Sequence, residues 1–268
     1  MLADVLSDAI RRAALFPTLD LPPPPPEHPA SRVARDGYTL SLFPGRSSAM
    51  VAVERLDDID AAVADVRQVL AADGKRRGVW FVAEAAAPSG LAHALLARGF
   101  TAADEQSFEP RYAAMALVTE PAPAPGGVEA RRPRTFEEFQ AGRSLGYRVT
   151  GQSDEDIAAM TAQQRAQWEL EQTHGGFHSF VALVDGDICG GAASQYGANA
   201  VFLAGGYTRE NMRGRGVYRA LVRARWDAAV EQGTPALTVG AGRMSRPILE
   251  RLGFETVGFI DCLVDDFG

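Results

Sequence analysis

Three observations in the sequence predict an α/β fold in two domains. Strand-patterned segments alternate with segments of helical periodicity along both halves of the chain. The 268 residues, 46% of them hydrophobic, suit two ordinary cores better than one. Two proline-rich stretches punctuate the pattern, PPPPP at 22–26 and EPAPAPGG at 120–127, and the second falls between a finished strand and a new one. Residues 1–120 are therefore expected to form one domain, 121–127 a linker, and 128–268 a second domain.

The elements follow in order. Residues 2–16 predict a helix with Val5, Leu6, Ala9, Ile10, Ala13 and Ala14 on one stripe, stopped by Pro17. The five prolines cannot donate backbone hydrogen bonds and read as a stiff connector. Then come a strand at 50–56, a helix at 57–72, a strand at 78–84, a helix at 88–98 closed by Gly99, and a strand at 113–119. The second half predicts a helix at 135–145 and a longer one at 153–172, where Ser153 and Asp156 have the spacing of a capping box. Strands at 177–184 and 188–196 flank Asp185-Gly186-Asp187, a hairpin turn. A strand at 200–208 leads through RGRGVY (213–218) into a helix reaching 231, then a strand at 236–240. A short helix at 245–252 has Ser245 as N-cap, Pro247 in its first turn and Gly253 past its end, and the last strands lie in 254–264. ARGF (97–100) and RLGF (251–254) each close a strand and short helix, a loose internal repeat.

Composition excludes several classes. No apolar run approaches the roughly 18 residues of a membrane span, and Asp4, Asp8, Arg11 and Arg12 are unlike a signal peptide, so a cytoplasmic protein with no membrane partner is expected. Cys189 and Cys262 lack paired spacing, which predicts core thiols and no metal site. A net charge of −7 argues against nucleic acid as a partner. Positive charge is concentrated instead, with Arg209, Arg213, Arg215, Arg219, Arg223 and Arg225 against Glu210 alone in residues 207–226. One basic stripe on an acidic protein suits a small anion.

Strand, glycine-rich turn and helix is the order that presents free N–H groups and a positive helix end to a phosphate. Gly214 and Gly216 leave room for close approach, and Arg213 and Arg215 supply charged donors. No Gly-Lys-Ser/Thr follows, and the third glycine of a dinucleotide fingerprint is absent, so nucleoside triphosphates and NAD rank low.

The pattern Arg-x-x-Gly-x-(Gly or Ala), read here as Arg213, Gly216 and, in the last place, Tyr218, resembles the acyl-CoA pyrophosphate loop of the GNAT superfamily of N-acetyltransferases. The order of elements over 128–267 is similar to the whole family domain. Residues 50–119 look like a second, degenerate GNAT-type domain that reads RLDDID (55–60) where a phosphate loop would sit; Asp57 and Asp58 suit a helix N-terminus but repel phosphate. The resemblance implies tandem GNAT-like domains of the acyl-CoA N-acyltransferase fold, mixed sheets, and one CoA site per chain. It implies acetyl-CoA as co-substrate, held by Gly206, Tyr207 and Thr208 of the strand and by Arg213, Gly214, Arg215, Gly216, Val217 and Tyr218 of the loop. Tyr218 either touches CoA or packs on the sheet, and Trp80, Trp168 and Trp226 are expected in the core.

Direct acetyl transfer to a primary amine needs N–H donors for an oxyanion, an acid for the thiolate and a base for the amine. A backbone N–H near Tyr207 is the expected oxyanion donor. Family members often carry a tyrosine and an asparagine where this chain has Leu249 and Gly242, leaving the Tyr207 hydroxyl or solvent as acid. Glu169, Glu171, His174 and His178 are the candidate bases, with His174 favoured for its flexible turn and its ordinary pKa near 6.5. The implied function is an N-acetyltransferase acting on an amine, with a non-catalytic acyl-CoA-binding sensor or interaction module as the alternative. The acidic balance favours cationic amines, and the first domain is expected to shape the substrate cleft or to supply a homodimer contact.

Overall fold

The computed structural model describes residues 6–104, 108–149 and 152–268. In chain order these form α1 (Asp8–Leu15), α2 (Pro17–Asp20), β1 (Ser31–Arg35), β2 (Tyr38–Leu42), β3 (Ser48–Arg55), α3 (Ile59–Ala72), β4 (Arg77–Ala87), α4 (Leu91–Leu96), β5 (Thr101–Ala102) and β6 (Arg111–Leu117). Then follow β7 (Glu129–Arg131), α5 (Phe136–Val149), α6 (Asp154–Ala159), α7 (Thr161–Thr173), β8 (Phe177–Val184), β9 (Asp187–Tyr196), β10 (Val201–Thr208), α8 (Val217–Glu231), β11 (Leu237–Ala241), α9 (Arg246–Arg251) and β12 (Glu255–Asp266). The first residues of the helix expected at 2–16 lie outside the described residues; its described part is α1, capped by Ser7.

Contacts divide the chain into two compact units, and neither is one continuous stretch. The first comprises residues 7–116, 240–250 and 255–268; the second comprises 117–239 and 251–254, with Leu6. Residues 121–127, expected as a linker, lie inside the second unit.

In the first unit the strands run β1-β2-β3-β4-β12-β6, with β5 also on β12. Among the described residues only β3 and β4 are parallel, and α3 makes the crossover between them. Asp58 caps α3 through its carboxylate on the Ala61 N–H, as the sequence suggests. The last strand of the chain is central here: Ile260–Asp266 pairs with β4 and Glu255–Asp261 with β6. The Asp265 carboxylate takes two hydrogen bonds from Arg67 of α3, at 2.7 and 2.9 Å. Val51, Leu70, Trp80, Leu95 and Met115 are buried in the core, and Cys262 is a buried free thiol in a separate cluster with Val79, Ala103 and Val264. The β1–β2 hairpin was not foreseen. Its Asp36-Gly37 turn is a hairpin signal, and Gly37 at φ +84° leaves no room for a side chain against the Arg55 carbonyl.

In the second unit the order is β11-β10-β9-β8-β7, and among the described residues β10–β11 is the only parallel pair. Each unit thus holds one parallel strand–helix–strand crossover within an otherwise antiparallel sheet. Side chains of β8 alternate between two helical layers. Phe180, Ala182 and Val184 meet Val217 and Leu221 of α8 in one core. Ser179 hydrogen-bonds Glu171 of α7, and Val181 faces α5. Helix α5 lies so close to β9 that a Cβ on Gly191 would stand 2.3 Å from the Gly142 carbonyl oxygen. The single helix expected at 153–172 is two, parted at Met160, whose N–H closes α6 on Asp156 while its carbonyl opens α7 to Gln164. Ser153 and Asp156 do form the capping box. Among the described residues, no helix is long and apolar enough to cross a membrane, and no group of three or more His, Cys, Asp or Glu could hold a metal ion.

Candidate functional site

The site begins with an irregularity in β10. Pairing with β9 is in register from Val201 to Ala204, then shifts by one residue, so Gly205 is an insertion with φ +70°. A glycine in the left-handed region is the residue such a bulge requires. The insertion inverts which way the backbone faces. Before it, the Val201 N–H points to the β11 side and donates to the Ala236 carbonyl; after it, the Arg209 N–H points the other way, to Cys189 of the β9 side. Antiparallel alternation then directs the N–H groups of Gly206 and Thr208 toward the β11 side. The described pairing of β10 with β11 ends at Phe202 and Thr238, well before those residues. The result is a splayed strand edge with donors aimed into the gap.

Beyond β10 a short 3₁₀ turn (Glu210–Met212) leads to α8. Gly214 and Gly216 have φ +76° and +82°, and Gly214 has open space where a side chain would be. Gly216 is the N-cap of α8 and offers no side-chain cap, and the first turn of the helix carries no acidic residue. The leading N–H groups and the positive helix end are thus left for an outside acceptor. Arg213 and Arg215 are exposed beside them. Pro125 packs onto Gly216, 2.4 Å from where its Cβ would be, and Glu120 pairs with Arg223 at 2.7 Å, so the 120–127 stretch lies along the start of α8. These features fit a pyrophosphate group. In the first unit, the corresponding helix start at α3 carries the Asp58 carboxylate instead.

Tyr207 and Tyr218 sit on opposite faces of β10. The Tyr207 ring faces α5 and rests on Gly146, and a Cβ on Gly205 would be 3.3 Å from its hydroxyl. Tyr218 turns toward the sheet, where its ring edge packs against Gly206, 2.8 Å from the position of a Cβ. Behind Gly206 lies Arg225, fully buried, with Nε donating to the Leu221 carbonyl at 3.0 Å and Nη1 to those of Ala193 and Gly205 at 3.3 and 3.0 Å. Nothing in the sequence separates Arg225 from its five neighbouring arginines except its place on the inner face of α8. Val217 also points inward, to the α8 core, so only its backbone can face a ligand.

The candidate bases are not gathered at this site. Tyr207 is level with Gly191 of β9 and Val181 of β8. Phe177 lies four residues back along β8, roughly 13 Å at strand rise, and His174 precedes it, exposed at the C-cap of α7. The Nδ1 of His174 lies 2.9 Å from Thr173 Oγ1. Glu171 is buried and committed to Ser179, accepting from its N–H at 2.8 Å and its hydroxyl at 3.0 Å, while burial pushes its pKa up. His178 is buried on the α8 face with Nδ1 3.2 Å from the Tyr196 hydroxyl, and burial lowers its pKa to about 4. Glu169 is exposed. The two positions where the family often differs lie in the first unit: Leu249 is fully buried, and the Glu109 carboxylate fills the space beside Gly242 and accepts the Arg243 N–H at 2.7 Å.

A cavity of about 490 Å³ opens between α5, α6 and the end of β10, with Glu137, Ser144, Arg148, Asp154, Ile188 and Arg209 in its walls. Arg148 and Asp154 pair at 3.0 Å. A backbone hydrogen bond and the Thr135 hydroxyl at the start of α5 hold the Glu137 carboxyl below its usual range, so it is ionised near neutrality.

Comparison with known proteins agrees with this architecture. Residues 143–254 match the model of the acetyltransferase (GNAT) family. No curated protein matches the sequence. Among solved structures, the chain is similar over 97% of its length to a GCN5-related N-acetyltransferase from Kribbella flavida, covering 96% of that chain with TM-score 0.68 and 18% identity. It is similar over 98% of its length to a tandem GNAT protein from the clavulanic acid biosynthesis pathway, covering 89% of that chain with TM-score 0.62 and 15% identity. A GCN5-related N-acetyltransferase from Sphaerobacter thermophilus aligns over 90% of this chain and 81% of its own, with TM-score 0.55 and 17% identity. Two crossover units, a bulged and splayed strand, and an uncapped glycine-led helix therefore go with a match to the acetyltransferase (GNAT) family model over residues 143–254 and with a fold shared, over nearly the whole chain, with GNAT proteins that include a tandem one.

Proposed function

We propose that the second half of the chain transfers the acetyl group of acetyl-CoA directly to a primary amine, with one such site per chain. The observation that carries this reading is the pairing of an uncapped α8 start with a strand edge whose Gly206 and Thr208 N–H groups face an open gap. In this reading Arg213, Gly214, Arg215, Gly216 and the backbone of Val217 and Tyr218 hold the pyrophosphate, and Gly206, Tyr207 and Thr208 line the pantetheine arm. The amine nitrogen attacks the thioester carbon, the Gly206 N–H receives the oxyanion, and the C–S bond breaks as the Tyr207 hydroxyl protonates the leaving sulfur. Water takes the proton lost by the amine and restores Tyr207. The cavity beside α5 admits the acceptor, and the chain's net charge of −7 favours a cationic one.

A second reading, an acyl-CoA-binding sensor without turnover, is favoured by Leu249 and Gly242 standing where the family often has tyrosine and asparagine. One experiment separates these. Acetyl-CoA is titrated calorimetrically into the wild type and into Arg213→Ala/Arg215→Ala, and thiol release is followed with a panel of amines. Binding that weakens at least about tenfold in the double variant, a loss of about 1.4 kcal/mol, together with amine-dependent thiol release, supports the transferase. Binding without release supports the sensor, and no wild-type binding removes both.

A further inference from the structure

Arg225 is the one arginine of the basic stripe that the phosphate loop does not use and the solvent does not reach. It is fully buried, and among the described residues it forms no ion pair. A guanidinium without a carboxylate is costly to bury, and an apolar side chain of similar volume would fill the space at less cost. Its contacts show where that cost is recovered. Nε holds the preceding helical turn at Leu221, and Nη1 reaches across to two strands at once, to Ala193 of β9 and Gly205 of β10. The last of these carbonyls belongs to the inserted residue of the bulge. The Tyr218 phenol also interacts with the guanidinium, and Nη2 lies 3.7 Å from where a Cβ on Gly206 would be.

The geometry of one peptide group connects this to the reacting centre. In a planar trans peptide the Gly205 carbonyl and the Gly206 N–H point in opposite directions. Drawing the carbonyl toward α8 therefore turns the N–H out, toward the open side of the strand. A positive charge on the carbonyl oxygen also polarises the peptide and makes its N–H a stronger donor. Gly205 and Gly206 have no side chains to lock this peptide themselves, and the left-handed φ of Gly205 leaves it the least constrained unit in the strand.

We propose that Arg225 is a positioning residue that acts through the Gly205 carbonyl, fixing and polarising the Gly205–Gly206 peptide so that the Gly206 N–H meets the thioester carbonyl of bound acetyl-CoA. This rests on the acetyl-CoA reading above. Arg225 touches neither substrate; its effect reaches the carbonyl through one peptide group.

The test is isotope-edited infrared difference spectroscopy of [1-¹³C]acetyl-CoA bound to the full chain, with affinity measured separately by calorimetry. In the wild type the ¹³C=O stretch of the bound thioester moves below its value in free acetyl-CoA. In Arg225→Met, affinity stays within about threefold, about 0.6 kcal/mol, and the stretch returns toward the free value. Arg225→Lys, which keeps the charge but not the fork, gives an intermediate shift and serves if the methionine variant does not fold. An unshifted wild-type band on a tightly bound ligand, or one equally shifted in Arg225→Met or Arg225→Lys, overturns the role of Arg225 and leaves the transferase reading standing. No calorimetric binding to the wild type removes the acetyl-CoA reading, and this inference with it.

Discussion

The ring of Tyr207 rests on Gly146 of α5, so closely that a Cβ on Gly146 would stand 2.7 Å from the tyrosine Cε2. A helix interior ordinarily gains from alanine in place of glycine, by about 0.5–1 kcal/mol. Here the added methyl displaces the ring that carries the proposed acid. Gly146→Ala is expected to leave acetyl-CoA affinity within about threefold and to lower amine-dependent thiol release. Tyr207→Phe, which keeps the ring and removes the hydroxyl, should match it. A Gly146→Ala enzyme of full activity would take Tyr207 out of the chemistry.

Tyr218 and Gly206 form a second steric pair, across the other face of the same strand. Gly206→Ala puts a methyl 2.8 Å from the Tyr218 ring, and overpacking of this kind costs about 1–3 kcal/mol. Adding Tyr218→Ala, which installs the small residue common in the family, should recover much of that loss. Urea unfolding of the two single variants and the double variant gives the coupling energy, and strict additivity would mean the two positions do not meet.

His178 predicts a loss of stability in mild acid. Burial, with the charge of Arg132 adding to it, lowers its pKa from the ordinary 6.5 to about 4. Between those values the unfolded chain binds a proton that the folded chain does not. Stability is thus full above about pH 6.5 and falls by up to about 1.4 kcal/mol per pH unit on the way down toward 4. Denaturant midpoints at pH 7.5 and 5.5 should differ in the wild type, and His178→Asn should reduce that difference.

Close approach of backbones makes Gly191 a fold-determining position. Gly191→Ala would drive a methyl into the Gly142 carbonyl at 2.3 Å, where backbone and not a mobile side chain must yield. A loss on the order of 2–3 kcal/mol is expected, read as a lower thermal midpoint, with Gly190→Ala failing for a different reason, contact with Val217 at 2.6 Å.

What the sequence disclosed and what it hid divide along one physical line. The phosphate-loop glycines, the Asp58 and Ser153 caps and the 185–187 hairpin are local features, set by residues a few positions apart, and each was legible. The break at Met160 carries no glycine or proline to mark it. His174 is favoured in the sequence by its flexible neighbours, and the fold sets it at the C-cap of α7, outside the strand whose register fixes Val181 level with Tyr207. Arg225 was hidden for the same reason, since six arginines look alike until a helix turns one of them inward. The place of β12 between β4 and β6 is the longest-range fact in the fold, and no local pattern encodes it.

That last feature bears on how the protein is made. The β6 edge emerges from the ribosome roughly 140 residues, and the β4 edge roughly 170 residues, ahead of the strand that joins them. At about 5–20 residues per second, those edges wait on the order of ten seconds for their partner. Through that interval the nascent chain carries unpaired strand edges of the kind that invite misassociation, and the unit that begins the chain is among the last to be complete.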